Sequence, residues 1–298
     1  MSNETITTCP VCDHGNFSNY LTTKDYTVTQ ETFTLVKCST CNFIFTNPRP
    51  KAESIGKFYS SDNYISHSGK SKTILDKVYL VARNITMRWK YKLITQYFAT
   101  SSSILDYGCG TGEFLNYIKN KGWTVEGLEP NNKARQKANS LLNNKVYQNH
   151  KEVNNNQFRV ITLWHVLEHI HDLNQTIQNL KKILSSDGVL IIAVPNPNSH
   201  DSKHYNNKWA GYDVPRHLWH FSQETMKSLL DKNGLKVVDI KPMKLDAYYV
   251  SLLSEGYKNP NQFKLVSAFK AFMEGVLSNM SARKNKEHSS LIYIARHE

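Results

Sequence analysis

With 298 residues, 40% of them hydrophobic and 21% charged, the chain can bury one full core and a small satellite, which excludes a disordered or low-complexity protein. Its longest purely apolar run, Val189–Val194, is far short of a bilayer span, so no membrane partner is expected. The formal charge of +12 raises nucleic acid as a partner, yet Lys and Arg are spread along the chain, with only mild density at Arg83–Lys92, Lys133–Lys137 and Arg283–Lys286. A solvated basic surface accounts for that spread, and nucleic acid is not the expected partner. Residues Met1–Thr8 lack a basic, apolar, cleavable leader, so the expected location is the cytoplasm. Oligomeric state is not legible.

Four of the five cysteines fall as Cys9-x-x-Cys12 and Cys38-x-x-Cys41, on either side of a short β-like segment, Tyr26–Val36. Each pair lets two thiolates from one tight turn reach a single tetrahedral ion, and the spacing matches a zinc ribbon. Such an ion would be structural, because four thiolates leave no open coordination position. Two disulfides or one redox pair are the competing readings; the cytoplasmic setting weighs against the first and the symmetric spacing against the second. Asn47-Pro-Arg-Pro50 closes this module, giving a ribbon over residues 1–50.

Linker and capping helices are expected over 51–100. Within them, Ile74, Leu75, Val78, Tyr79, Ala82, Ile85 and Trp89 form one helical stripe in the stretch Thr73–Phe98. From Ile104 the pattern alternates strand and helix. Strands are predicted at Ile104–Asp106, Trp123–Leu128, Val160–Trp164 and Val189–Val194, with helices at Glu113–Asn120, Lys133–Leu141 and Leu173–Leu184. Further strands are predicted at Leu235–Ile240 and Leu291–Ala295. This alternation implies an α/β domain over 101–298 with a doubly wound, mainly parallel Rossmann-like sheet.

The first predicted strand runs into Asp106-Tyr-Gly108-Cys-Gly110-Thr-Gly112 and then a helix, the ligand-binding turn of such a sheet. The spacing is G-x-G-x-G, not the G-x-G-x-x-G that cradles a dinucleotide pyrophosphate. Glu129 closes the next strand about twenty residues on, where a carboxylate can accept from both ribose hydroxyls. Together these residues resemble motif I of the class I S-adenosylmethionine (AdoMet)-dependent methyltransferases. The resemblance implies that Gly108, Gly110 and Gly112 wrap AdoMet, that Glu129 holds its ribose, and that Asp106 helps orient its methionine part. One departure stands in the fourth strand, where Phe158-Arg159-Val160-Ile161 replaces the relatives' Phe-Asp-Val-Ile. Asn149 and His150 are the candidates for the adenine contact.

His165-Val-Leu-Glu-His169 formally fits the inverted zinc-protease pattern H-x-x-E-H. Its place directly after a strand, beside the glycine loop, points instead to a pocket wall. The stretch Leu163–Ile170 resembles the post-strand segment of these methyltransferases, which implies that Trp164 and His165 line the cofactor and that His169 faces the acceptor. After Pro195-Asn-Pro197 a long loop gathers Trp209, Tyr212, Asp213, Arg216, His217, Trp219 and His220. Aromatic faces suit a sulfonium, and an imidazole with pKa about 6.5 can accept a proton at neutral pH. Ser222 reads as the N-cap of a helix over Glu224–Lys232.

The four-cysteine ribbon, the methyltransferase core and the R-H-x-x-H-F-S segment together resemble a family that includes deoxysugar C-methyltransferases. That resemblance implies His217 and His169 as catalytic residues, with His220 beside them, although the sugar enzymes carry Glu where Arg216 stands. Asp246-Ala-Tyr248-Tyr249 and Tyr64-Ile-Ser-His67 are candidates to close the pocket. The expected function is methyl transfer from AdoMet to a small-molecule acceptor, a sugar or related metabolite among the options, with a histidine base. An RNA methyltransferase and a non-catalytic AdoMet-binding protein remain the alternatives.

Overall fold

The computed structural model of the protein describes residues 3–59, 74–143, 145–153 and 157–298. Tyr64–His67 lie outside the described residues, as do the side chains at 74–83 on which most of the expected helical stripe falls.

The amino-terminal part is a small antiparallel unit. Strand β1 (Asn3–Glu4) pairs with β5 (Arg49–Pro50), and β2 (Phe17–Lys24), β3 (Thr32–Cys38) and β4 (Ile44–Thr46) form a meander. The expected single segment Tyr26–Val36 is instead a turn followed by β3. The turn is organised by the buried Asp25 carboxylate, which accepts from the backbone N–H groups of Thr27 (3.0 Å), Val28 (3.1 Å) and Thr29 (2.8 Å). Satisfying several N–H groups with one side chain lets the chain reverse without leaving buried donors unpaired. Helix α1 (Ile74–Thr95) then leads to the larger domain.

That domain is built on seven strands: β6 (Ser103–Tyr107), β7 (Thr124–Leu128), β8 (Val146–Tyr147), β9 (Phe158–Trp164), β10 (Leu184–Pro195), β12 (Leu235–Pro242) and β13 (Ser290–His297). Their spatial order is β12-β13-β10-β9-β6-β7-β8. Six of the seven strands run in one direction, while β13 is antiparallel to both of its neighbours. This is the mainly parallel Rossmann-like sheet expected. Residues Val189–Val194 of β10 are all at most 1% exposed, the burial on both faces that a central parallel strand requires. Because β6 pairs with β7 on one side and β9 on the other, the strand order reverses there and opens a crevice at the carboxyl ends.

The helices between the strands are α2 (Glu113–Lys119), α3 (Asn132–Leu142), α4 (Leu173–Ile183), the short α5 (His200–Tyr205) and α6 (Gln223–Lys232). Ser222 caps α6 in a reciprocal box with Thr225, as its sequence position predicts. Three helices are additions to the sequence reading: the short α5 lies within the expected long loop, and α7 (Asp246–Lys258) and α8 (Lys264–Asn285) pack as a hairpin between β12 and β13. The two-residue strand β11 (Trp219–His220) does not join the large sheet. It pairs with β4 and supplies the fourth strand of the amino-terminal sheet. Phe43 and Phe45 of the small unit accordingly share one apolar core with Trp219, Phe221 and the inner residues of β9 and β10.

Candidate active site

The crevice is floored by the glycine loop. Gly108, Gly110 and Gly112 all have positive φ (+76°, +56° and +79°), which side chains with a Cβ rarely adopt. At Gly108 a Cβ would stand 2.5 Å from Val166, so the loop closes directly on the segment after β9. At Gly110 nothing lies within 4 Å of that position, which leaves bare backbone open to a ligand. Glu129 is tied to the same loop: its carboxylate accepts from Gly110 N–H (2.9 Å) and Asn131 N–H (2.8 Å). Burial raises its pKa against those two hydrogen bonds. Asp106, at the end of β6, accepts from the Thr162 hydroxyl at 2.5 Å. Burial pushes its pKa up to about 6 although the Lys90 charge opposes the shift.

Lys90, on α1, stood out in the sequence only as one of the cations of Arg83–Lys92. Its ammonium stands 4.2 Å from the centre of the Trp164 ring and 5.3 Å from that of Phe114, and burial lowers its pKa to about 8 against the pull of Asp106 and Asp246. Two ring faces and two carboxylates therefore form a cage for positive charge at the loop. Trp164 Nε1 is buried there with no hydrogen-bond partner among the described residues. His165 lies next to it with φ +55°. Its Nε2 is 2.8 Å from Asp246 and its Nδ1 3.3 Å from Glu168. Burial disfavours the imidazolium, but the two carboxylates outweigh it and hold the pKa at about 10. Burial likewise disfavours the Glu168 carboxylate, and His165 outweighs it to pull that group down to about 2.

Further along, the segment after β9 meets the segment before β11. The His169 and His217 rings pack edge to face with centroids 4.6 Å apart. His217 Nδ1 lies 2.8 Å from Gly211 O; a carbonyl only accepts, so Nδ1 carries a proton. That Nε2 faces the Asp213 carboxylate at 3.9 Å. His169 Nδ1 is 3.0 Å from both Arg216 O and Tyr59 Oη, which puts a proton on Nδ1 there too. Burial, reinforced by His217, lowers the pKa of His169 to about 4, so it is neutral at physiological pH. His220 stands behind the pair in β11; burial and His217 bring it to about 3, and its Nε2 has no hydrogen-bond partner among the described residues. Of the pocket-closing candidates, Asp246 reaches the crevice through His165, whereas Tyr249 is exposed and Tyr248 stacks on Phe272.

Arg216 holds this wall in place. It is 1% exposed and donates to Asp213 (2.6 and 2.9 Å), to Asp25 in the small unit (3.0 Å) and to Phe58 O (2.8 Å). Thr46 of β4 adds a backbone bond to Leu218 O and a hydroxyl bond to His217 O, both 2.9 Å. The four cysteines sit in the same small unit. Cys9 and Cys41 sulfurs are 3.6 Å apart, as are those of Cys12 and Cys38, and all four lie within 4.8 Å of one another. A disulfide needs about 2.0 Å. Four sulfurs at about 2.3 Å from one tetrahedral ion would be separated by about 3.8 Å, close to the spacing found. In each knuckle the residue after the second cysteine, Asp13 (φ 63°) or Asn42 (φ 62°), is left-handed, a conformation these two residue types tolerate. The site residues expected from sequence thus fall into three groups: the glycine loop with Glu129 and Trp164, the imidazole wall, and the four-cysteine cluster in the small unit.

Comparison with known proteins agrees with this geometry. Residues 81–240 match the family described as a methyltransferase domain. The ubiquinone biosynthesis O-methyltransferase of Haemophilus ducreyi is 34% identical over 108 residues, covering 31% of this chain and 45% of that relative, so the chain spans less than half the length of the curated relative it matches. The fold is similar to the magnesium protoporphyrin IX methyltransferase of Synechocystis PCC 6803 with bound SAH (TM-score 0.52, 13% identity, 83% of this chain and 100% of that one). It is also similar to the geranyl diphosphate C-methyltransferase of Streptomyces coelicolor A3(2) in complex with Mg2+, geranyl diphosphate and S-adenosyl-L-homocysteine (TM-score 0.50, 13% identity, 77% and 86% covered). With its glycine loop, its strand order and the match across more than half its length, the chain belongs to the methyltransferase-domain family, the AdoMet-dependent group its sequence resembles.

Proposed function

We propose that the protein transfers a methyl group from AdoMet to a small-molecule acceptor, a sugar or related metabolite among the candidates, with His217 as the proton-accepting base. The observation that carries this reading is the edge-to-face packing of the His169 and His217 imidazoles in a chain whose glycine loop is tied to Glu129. The residues present fit AdoMet. Gly110 leaves open backbone, and Glu129 has lone pairs left for two ribose hydroxyls. Asp106, Gly108, Gly110, Gly112, Glu129 and Trp164 would hold it. When bound, AdoMet supplies a methyl on a sulfonium, already activated for in-line displacement by the acceptor atom.

The remaining work is done by the chain. His217 Nε2 takes the acceptor proton, and the Asp213 carboxylate at 3.9 Å stabilises the imidazolium that results. His169, kept neutral, accepts a hydrogen bond from the acceptor without adding a competing positive charge. His220 Nε2 offers a further acceptor behind the pair. His165 has both nitrogens engaged by carboxylates, so it shapes the crevice wall and moves no proton. We assign the Cys9, Cys12, Cys38 and Cys41 cluster to a structural Zn2+, which the sulfur spacing supports.

The test is a split between turnover and binding. His217→Ala should lower single-turnover rate about 100-fold or more while AdoMet affinity by calorimetry stays within a few-fold. Glu129→Ala should weaken AdoMet about 10-fold to 100-fold, since it loses charge-assisted hydrogen bonds. Equal losses of rate and affinity in His217→Ala would overturn the base assignment.

A further inference from the structure

Helix α8 is inverted relative to an ordinary surface helix. Ala271, Glu274, Gly275, Ser278 and Ala282, small or polar, form its buried face. Its bulky apolar residues point outward: Leu265 (71% exposed), Phe269 (66%), Phe272 (56%), Met273 (42%), Leu277 (46%) and Met280 (53%). At 3.6 residues per turn these six fall within an arc of about 140° and form one stripe along the helix. Helix α7 and the residue before it extend the surface with Leu245 (52%), Tyr249 (61%) and Leu252 (46%). The two helices approach closely where Gly275 meets Tyr248, and Tyr248 stacks on Phe272 at 5.6 Å, which makes the face continuous. A contiguous apolar face of this kind marks an interaction site.

The charges around it are one-sided. Lys244, Lys258, Lys264, Lys270, Arg283 and Lys284 are all exposed on this hairpin. Its three acidic residues turn inward: Asp246 binds His165, Glu274 binds His200, and Glu255 is buried beside Asn259. A second copy of the chain docked by a two-fold axis would set these cations against themselves, since an isologous interface must be self-complementary. The charge complement is an anionic partner, and an apolar stripe without polar hydrogen-bonding groups suits a medium that asks for no directional contacts. An anionic lipid surface has both properties: acyl chains for the stripe and head groups for the rim. No described helix is long and apolar enough to cross a membrane, and docking in the interface plane requires none.

We propose that the α7–α8 face docks the protein onto anionic phospholipid bilayers, with α8 lying along the interface. Asp246 begins α7 and is bonded to His165, so the docked face adjoins the rim of the crevice. The test uses the full chain and co-sedimentation with phosphatidylcholine vesicles, with and without phosphatidylglycerol. The wild type should bind the phosphatidylglycerol vesicles at least about tenfold more tightly than the neutral ones. The triple variant Phe269→Ser/Phe272→Ser/Met273→Ser should lower that affinity about 100-fold with its circular dichroism unchanged, because the replaced side chains are exposed. Lys264→Glu/Lys270→Glu should lower it about tenfold or more and leave the apolar stripe intact. Absence of vesicle binding at low salt, or full binding by the triple variant, would overturn the proposal. So would a dimer in light scattering that the triple variant dissociates. None of these readouts depends on methyl transfer, so the proposal can fail separately from the assigned activity.

Discussion

Replacing Arg216 by methionine should cost the protein about 3 kcal/mol of stability, the lower end of the usual range for breaking a buried ion pair. The substitution keeps most of the volume and removes four donor contacts, leaving Asp25 (0% exposed) and Asp213 without their cation. Asp25 retains three backbone N–H donors and the Thr29 hydroxyl, so its carboxylate stays partly solvated by the protein, which is why the lower end applies. Among the described residues, Asp213 then keeps as its ion-pair partner the more distant His217, at 3.9 Å. Urea unfolding followed by tryptophan fluorescence would measure the loss. The pH dependence gives an independent signature. Burial alone would raise the Asp25 and Asp213 carboxyls, and Arg216 is the main reason they sit below the ordinary value. Their contribution in the wild type is present above the unfolded carboxyl pKa and is lost as pH falls through the depressed native one. The gap between wild type and Arg216→Met should therefore shrink in acid. A loss under about 1 kcal/mol, or additive losses in the double-mutant cycle of Arg216→Met with Asp25→Asn, would refute the clamp.

Two further predictions concern other parts of the molecule. His165 has its native pKa raised to about 10, so its contribution to stability is complete below about 6.5, its ordinary value, and is lost as pH rises through 10. With the side chain 33% exposed, solvent screening limits this to about 1–2 kcal/mol. His165→Asn should flatten that slope between neutral and alkaline pH, and an unchanged slope in a thermal melt series would contradict the assignment. Purified protein should carry one zinc per chain by elemental analysis, and a strong chelator should lower its melting temperature together with its turnover. A metal-free preparation with the same melting temperature would show that the four thiols act without an ion.

What the sequence revealed was local. The glycine loop and Glu129 were legible because a strand, a turn and the next strand fix their spacing within a few dozen residues. The cysteine knuckles were legible for the same reason. The Arg216 clamp was not, because Asp25 is 191 positions away and nothing in its own neighbourhood marks it as a partner. The Asp246–His165 pair spans 81 positions and was equally hidden, although Asp246 stood out as a candidate to close the pocket. Lys90 was read only as part of a basic helix, since its aromatic cage comes from α2 and β9. Helix α8 carries helical spacing in its sequence too, but spacing alone does not say that its apolar stripe faces outward.

The fourth strand of the small sheet ties two equilibria together. The chain between β10 and β11 carries His217, and its far end exists as a strand only while β4 is formed beside it. Ordering that stretch costs about 1–2 kcal/mol per residue in backbone entropy, a cost that a Zn2+ on the four cysteines, as proposed above, would help offset by keeping β3 and β4 in place. Any acceptor that needs the ordered loop will then favour the metal-loaded ribbon, and by reciprocity will tighten the metal by the same factor. Ion and acceptor, with no contact between them, would behave as ligands of one another.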